Sequence, residues 1–282
     1  MNRAENHTLD VFVLRAGLSG SMWRAVEVVG KTGSTNADVM ARARAGEPEG
    51  LVLVAEEQTA GRGRMGREWV APPGAALTFS FLLLPSGLPV RRRGWLPLLA
   101  GISVAAAVRG ATRAEVTLKW PNDVLAGGGK LAGILAEATG EAVVVGIGVN
   151  VSTGADELPQ PGPGGLPATS LRLLGSPMLD REQLLIGILL AFERRYQAWR
   201  HGRDNPHHAG GNPAALRAEY LELCETIGRK VRVERPGGQS VSGDAMDVDS
   251  DGRLVLRVSG EEAVHAGGAS VAIAAGDVVH LR

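Results

Sequence analysis

The sequence predicts an α+β protein: a mixed or antiparallel central sheet flanked by helices over residues 1–224, then a small β domain over 225–282. Three observations carry this. Helix-period and strand-period segments mix in the first part without regular βαβ alternation. After Cys224 the texture changes to short strand-like runs separated by turn residues. A chain of 282 residues with 44% hydrophobic content can bury one large core and a smaller neighbour.

Residues 1–25 lack a clear pattern and are expected to be irregular, in part disordered. Val26–Val29 reads as a short strand. Ser34, Thr35 and Asn36 are N-cap types that open a helix over Ala37–Ala45. The apolar runs Leu51–Ala55 and Ala76–Leu84 read as buried strands. Trp95–Val108, apolar at helical length, reads as a core helix. Val116–Trp120 is a strand that ends at Pro121. Lys130–Glu137 and Ala142–Val151 form a hairpin pair. Gly154–Pro167, rich in Pro and Gly, is a loop. Arg181–Arg200 is a long helix, His201–Pro213 a polar insertion, and Ala214–Cys224 another helix. Lys230–Glu234, Val241–Val248, Arg253–Val258 and Val278–Leu281 are strands of a small barrel or half-barrel, with a domain boundary near 224–226.

Composition narrows the function. Lys+Arg and Asp+Glu number 30 each, so no global field points to nucleic acid or an acidic membrane, and any basic site is local. The single cysteine, Cys224, rules out a disulfide framework and fits a reducing cytosol. No apolar run approaches the roughly 18 residues of a membrane span. A soluble cytoplasmic protein is expected.

Several motif-like stretches fail on context. Gly61-Arg62-Gly63-Arg64-Met65-Gly66 matches G-x-G-x-x-G, but Pro72, Pro73 and Gly74 follow where a helix belongs. No acidic residue stands about 20 positions on to hold a ribose. Gly127–Lys130 lacks the first Gly and the Ser/Thr of a P-loop. The Asp247–Gly252 run lacks the terminal Glu of a calcium loop, since Val258 stands there. His201, His207 and His208 lie among loop residues and read as a solvated segment rather than a metal cluster.

The local basic site is Glu56–Gly74, where Arg62, Arg64 and Arg67 alternate with Gly61, Gly63 and Gly66. Arginine presents a planar fork of donors to phosphate or carboxylate, and glycine lets the backbone approach a ligand and change shape. The loop is flanked by two buried strands and is not repeated, unlike a solvated RNA-binding segment. Lys119-Trp120-Pro121-Asn122-Asp123 and Lys130 with Gly133 also fall at the ends of core strands. Together they outline a site for a small anionic ligand.

Ser34-Thr35-Asn36, Gln58, Gly61-Arg62-Gly63-Arg64 with Gly66-Arg67 and Trp69, Lys119-Trp120-Pro121-Asn122-Asp123, Lys130-Leu131-Ala132-Gly133-Ile134-Leu135 and Gly146-Ile147-Gly148-Val149-Asn150 together resemble the biotin protein ligases. These motifs cover about residues 26–151 in the family's order. The resemblance implies a class II synthetase-like catalytic domain and an SH3-like C-terminal barrel. It implies ATP-dependent formation of biotinyl-5′-AMP, with Mg²⁺, and then transfer of biotin to a lysine of the biotin carboxyl-carrier domain of an acyl-CoA carboxylase. No protein nucleophile is needed, and none is evident.

Carried over by position, Ser34, Thr35, Asn36 and Gln58 look like the polar wall around the biotin ureido ring, with Gly61, Arg62, Gly63, Arg64, Lys130 and Gly133 also on the biotin side. Arg62, Arg64, Arg67, Trp69, Asn122, Lys130 and Asn150 look like ATP-side groups. Arg64, Lys130 and Asp123 look like the groups that act on the reacting centre, with Asp123 a candidate metal contact. Trp120 either packs the core or flanks the site. Met65 stands where the family often has a basic residue. Only 33 residues precede Ser34, short of the winged-helix domain that some members use as repressors, so an enzyme without a DNA partner is expected, as a monomer or weak homodimer. A lipoate or octanoate ligase shares this fold type and is the nearest alternative. A non-catalytic RNA-binding module is disfavoured by neutral charge and only 4% aromatic residues.

Overall fold

The computed structural model describes residues 8–110, 112–161, 165–177, 179–201, 213–235, 237–259 and 269–281. The first unit is a seven-stranded sheet in the order β1-β2-β3-β7-β6-β5-β4. Its strands are β1 (Ala25–Thr32), β2 (Leu51–Gln58), β3 (Ala76–Leu83), β4 (Val116–Lys119), β5 (Asp123–Ala126), β6 (Gly129–Thr139) and β7 (Ala142–Asn150). β1 and β2 pair in parallel and every other neighbour is antiparallel, so the sheet is mixed as expected. The helices are α1 (Val11–Gly17), α2 (Thr35–Arg44), α3 (Trp95–Arg109), α4 (Arg181–His201) and α5 (Pro213–Leu223). The second unit is a five-stranded antiparallel sheet, β11-β10-β9-β8-β12, built from β8 (Lys230–Glu234), β9 (Ser240–Val248), β10 (Leu254–Arg257), β11 (Ser270–Ile273) and β12 (Asp277–His280).

The strand period decides which side chain goes where. In β2, Val52 and Val54 join the main core, whereas Leu51 and Leu53 face the other way, onto Val39 and Met40 of α2. In β3 and β7, Leu77, Phe79, Phe81, Val143, Val145, Ile147 and Val149 join the core under α3 and α4. The alternate positions are Thr78, Ser80, Gly146 and Gly148, which pair Thr78 with Gly148 and Ser80 with Gly146. Beyond α2, one face of the central strands is therefore floored by small and hydroxyl side chains. That leaves room for a ligand instead of a second helix layer.

Three expectations are corrected or extended. Residues 9–18 are ordered: Asp10 caps α1 by accepting from the Phe12 amide at 2.8 Å, and Leu9, Leu14, Leu18 and Trp23 are buried. Trp23 stacks edge-on to Phe81 at 5.0 Å. The stretch after Pro121 holds a further strand, β5, paired with β4 and β6. The C-terminal unit holds a further strand, β11. Residues 1–7 and most of the 201–213 insertion, with His207 and His208, lie outside the described residues.

Candidate active site

The floor of small residues opens into a cleft of about 380 Å³. One end is walled by amides and hydroxyls. Thr35 and Asn36 sit in the first turn of α2, which buries both. Gln58, at the end of β2, accepts the Thr35 amide N–H at 2.8 Å through Oε1. Ser80 donates to Asn36 Oδ1 at 2.6 Å and lies 2.7 Å from Thr35 Oγ1. Asn36 Nδ2 donates to Glu137 Oε2 at 2.8 Å and to the Leu135 carbonyl at 3.2 Å. At Gly146 a Cβ would overlap Asn36 Oδ1, so only glycine lets the amide rest against β7.

Trp69 lies along the middle of the cleft. A Cβ at Gly148 would run into its indole, and one at Gly133 would stand 3.2 Å from its Cζ3 and 3.4 Å from Lys130 Cε. The paired glycines of β6 and β7 thus make the slot that holds the ring flat on the sheet. Among the described residues the Trp69 Nε1 proton has no hydrogen-bond partner, and it is turned from solvent.

The other end is cationic. Lys130 Nζ pairs with Asp123 Oδ1 at 2.7 Å, an arrangement set by β5 and β6, which place Asp123 opposite Gly133. Lys119, opposite Asp123 on β4, and Arg64 also line the cleft. Burial pulls the Lys119 ammonium and the Arg64 guanidinium below their ordinary values, and Asp123 opposes that pull in both. Neither makes an ion pair with a carboxylate among the described residues. Two half-buried positive charges therefore stand ready for an anion.

The Arg/Gly segment is a hairpin, not an open coil. Trp69 N–H donates to the Gly61 carbonyl at 2.9 Å and Gly63 N–H to the Arg67 carbonyl at 2.7 Å, around a single 3₁₀ turn at Arg64–Gly66. Met65 holds φ 52°, a left-handed conformation that costs a side-chain-bearing residue roughly 1–2 kcal/mol. Two contacts tie the hairpin to the start of β12. Arg64 Nη2 donates to the Gly276 carbonyl at 3.2 Å, and Arg67 forms an ion pair with Asp277.

The cleft thus brings together Thr35, Asn36, Gln58, Arg62, Gly63, Arg64, Arg67, Trp69, Asn122, Asp123, Lys130 and Gly133. It does not bring Ser34, Gly61 or Asn150 to its wall. Ser34 is the buried N-cap of α2, Gly61 closes the hairpin, and the Asn150 amide is committed to the Thr169 carbonyl at 2.9 Å. Asn122 also bonds internally, to the Ile134 carbonyl at 3.0 Å. Trp120 belongs to core and cleft edge alike: it is 1% exposed, and its indole N–H reaches the Gly252 carbonyl at 3.1 Å. Sequence reasoning left Lys119 without a role and missed Ser80, Glu137, Gly276 and Asp277. Period-2 alternation in β3 could have found Ser80. No local signal connects Gly276 to Arg64, 212 residues away.

Comparison with known proteins shows the family. Residues 31–153 match the model of the biotin/lipoate A/B protein ligase family, and residues 226–281 match the biotin protein ligase C-terminal domain. The chain is 46% identical over 268 residues to a biotin–[acetyl-CoA-carboxylase] ligase of Mycobacterium tuberculosis, covering 94% of this chain and 92% of that one. The chain belongs to the biotin/lipoate A/B protein ligase family. A bifunctional ligase/repressor BirA of Bacillus spizizenii is 37% identical over 216 residues, which are 74% of this chain and 62% of that protein. Among solved structures, the Aquifex aeolicus biotin protein ligase in complex with biotin and ATP aligns over 92% of this chain and 99% of its own, with a TM-score of 0.68 and 25% identity. Two features expected of the family, the mixed catalytic sheet with flanking helices and a small C-terminal β domain, are both present. No described helix is long and apolar enough to cross a membrane.

Proposed function

We propose that this family member is an ATP-dependent biotin protein ligase acting in the cytoplasm. It forms biotinyl-5′-AMP and passes biotin to a lysine of a carboxylase's biotin carboxyl-carrier domain. One observation carries the reading: a single cleft joins an amide–hydroxyl wall, suited to a neutral cyclic urea, to two half-buried cations that lack a carboxylate ion pair among the described residues. In this reading residues 1–224 form the catalytic part, and residues 225–282 supply Gly276 and Asp277 to the Arg/Gly hairpin.

The residues act by binding, orientation and charge. Thr35 and Gln58 hold the ureido ring, and Trp69 lies along the ligand between the two ends. The biotin carboxylate attacks the α-phosphate of ATP, and the bond to the β-phosphate breaks to release pyrophosphate. Two anions must meet, so fixed positive charge from Arg64, Lys119 and Lys130 favours the transition state over the separated reactants. The anhydride then loses AMP as the neutral amine of the carrier lysine attacks its acyl carbon. Between the steps the Arg62–Arg67 hairpin shields the anhydride from water. Mg²⁺ fits as an ion brought in on the triphosphate, where it neutralises phosphate charge. No group of three His, Cys, Asp or Glu among the described residues is placed to hold a metal by itself, and Asp123 is the carboxylate that stands between the cleft lysines.

The test is pyrophosphate release with ATP and Mg²⁺ in the presence of biotin, lipoate or no acid. Release with biotin far above the other two is expected, because a site built to pair with a urea leaves its polar groups unsatisfied against lipoate. Equal release with biotin and lipoate overturns the reading.

A further inference from the structure

We infer that Glu137 is a positioning residue: through a one-way chain of hydrogen bonds it fixes which atoms of the cleft wall donate and which accept. This rests on the proposed recognition of a cyclic urea by Thr35 and Gln58. The Glu137 side chain is not on the cleft wall. It borders the neighbouring groove behind the Arg/Gly hairpin and forms no ion pair among the described residues.

The direction of the chain follows from counting protons. The Asn36 atom facing Glu137 Oε2 and the Leu135 carbonyl meets two groups that can only accept, so it is the amide NH₂. The other amide atom is then the carbonyl oxygen, and the 2.6 Å contact to Ser80 Oγ requires the serine proton there. Ser80 has one proton. Its 2.7 Å contact with Thr35 Oγ1 must therefore be filled by the threonine proton, because two lone pairs at that distance repel. Thr35 in turn has no proton left for Gln58 Oε1, 3.1 Å away, which takes the Thr35 backbone N–H at 2.8 Å instead. Gln58 Nε2 is thereby turned toward Gly61, where a Cβ would stand 3.0 Å from it.

The wall so arranged offers a lone pair on Thr35, and an N–H of a cyclic urea is its complement. Neutralising or removing the carboxylate lets Asn36 turn over, since its NH₂ then has one acceptor fewer to hold it. The chain can reverse, Thr35 becomes a donor, and a donor then faces the urea N–H. Glu137 thus acts on ligand choice from behind a layer of three side chains.

Glu137→Ala, Glu137→Gln and Ser80→Ala are compared with the parent in pyrophosphate release, with KM for biotin, KM for ATP and kcat determined separately. Glu137→Ala is expected to raise KM for biotin roughly 10- to 100-fold and to lower the biotin-to-lipoate preference. KM for ATP and kcat at saturating biotin stay within about threefold, since no group at the reacting centre moves. Glu137→Gln, which keeps one acceptor, recovers part of the loss. Adding Ser80→Ala to Glu137→Ala adds little, because the chain is already broken. The thermal midpoint of each variant, measured alongside, separates this from a loss of fold. An unchanged KM for biotin in Glu137→Ala, a parallel rise in both KM values, or multiplying effects of the two substitutions overturns the proposal alone. A parent that activates lipoate and not biotin overturns the reading of the site, and this proposal with it.

Discussion

Lys119 and His280 form a pair of residues whose environment works against their charge. The Lys119 ammonium is held down chiefly by burial, so the folded protein carries that charge at a cost. A cost of this kind is tolerated where charge is used. Lys119→Met is expected to slow pyrophosphate release about 10²-fold while the urea midpoint of unfolding holds or rises. A destabilised but fully active variant would return Lys119 to a packing role. His280, on β12, has its imidazole pushed down to about 4 by burial and by the nearby charges of Lys119 and Arg229, although Glu225 lies 3.6 Å away. The unfolded chain binds that proton near 6.5, so between about 4 and 6.5 the unfolded state holds more protons than the folded one. Stability is full above that window and falls as the pH drops through it. His280→Gln is expected to flatten this slope in unfolding titrations, and an unchanged slope would assign it to other groups.

At the scale of elements, the Arg/Gly hairpin is held from outside by β12. The Arg64 bond to the Gly276 carbonyl and the Arg67–Asp277 pair are exposed enough to exchange for ligand oxygens. Asp277→Ala is expected to loosen the hairpin, so that activated biotin escapes before the carrier lysine arrives. Labelling of an unrelated lysine-rich protein then rises above the parent, and no rise while adenylate still forms would exclude β12 as the hairpin's anchor. Much of this layout was legible in the sequence. The long apolar runs gave β2, β3, β7 and α3, because burial on both faces leaves an unmistakable pattern, while β6 followed from the hairpin pairing and α4 from its helical length. The motif order brought most cleft residues into one list. What escaped had physical reasons. Phe12 and Val13 point outward on α1 and hide the period of Leu14 and Leu18. β5 spans four residues just after Pro121, too short for a period to show. Asn150 ends a glycine-bearing strand like a ligand residue, yet its amide closes a backbone contact to Thr169.

On the scale of the whole molecule, one hydrophobic core runs from Leu9 under the catalytic sheet to Val278 of the small sheet. The seam is narrow and specific. Trp95 Nε1 donates to the carbonyls of Asp249 and Ser250 at 3.2 and 3.0 Å, Trp120 Nε1 to that of Gly252, and a Cβ at Gly252, where φ is 82°, would stand 2.8 Å from the Gly94 carbonyl carbon. A single cooperative unfolding transition is expected in calorimetry. Gly252→Val meets both the left-handed φ and the Gly94 backbone, and should cost roughly 2–4 kcal/mol and impair adenylation too. Two well-separated transitions in the parent would contradict a shared core. Core and seam together have sorted the indoles. Of the five tryptophans, Trp23, Trp95, Trp120 and Trp199 are at most 4% exposed, while Trp69 lies partly open on the cleft wall. Light emitted by the four sealed rings is shielded from a dissolved collisional quencher, and light from Trp69 is not. The chain therefore carries its own optical gauge of an occupied cleft, with a silent background and no label attached.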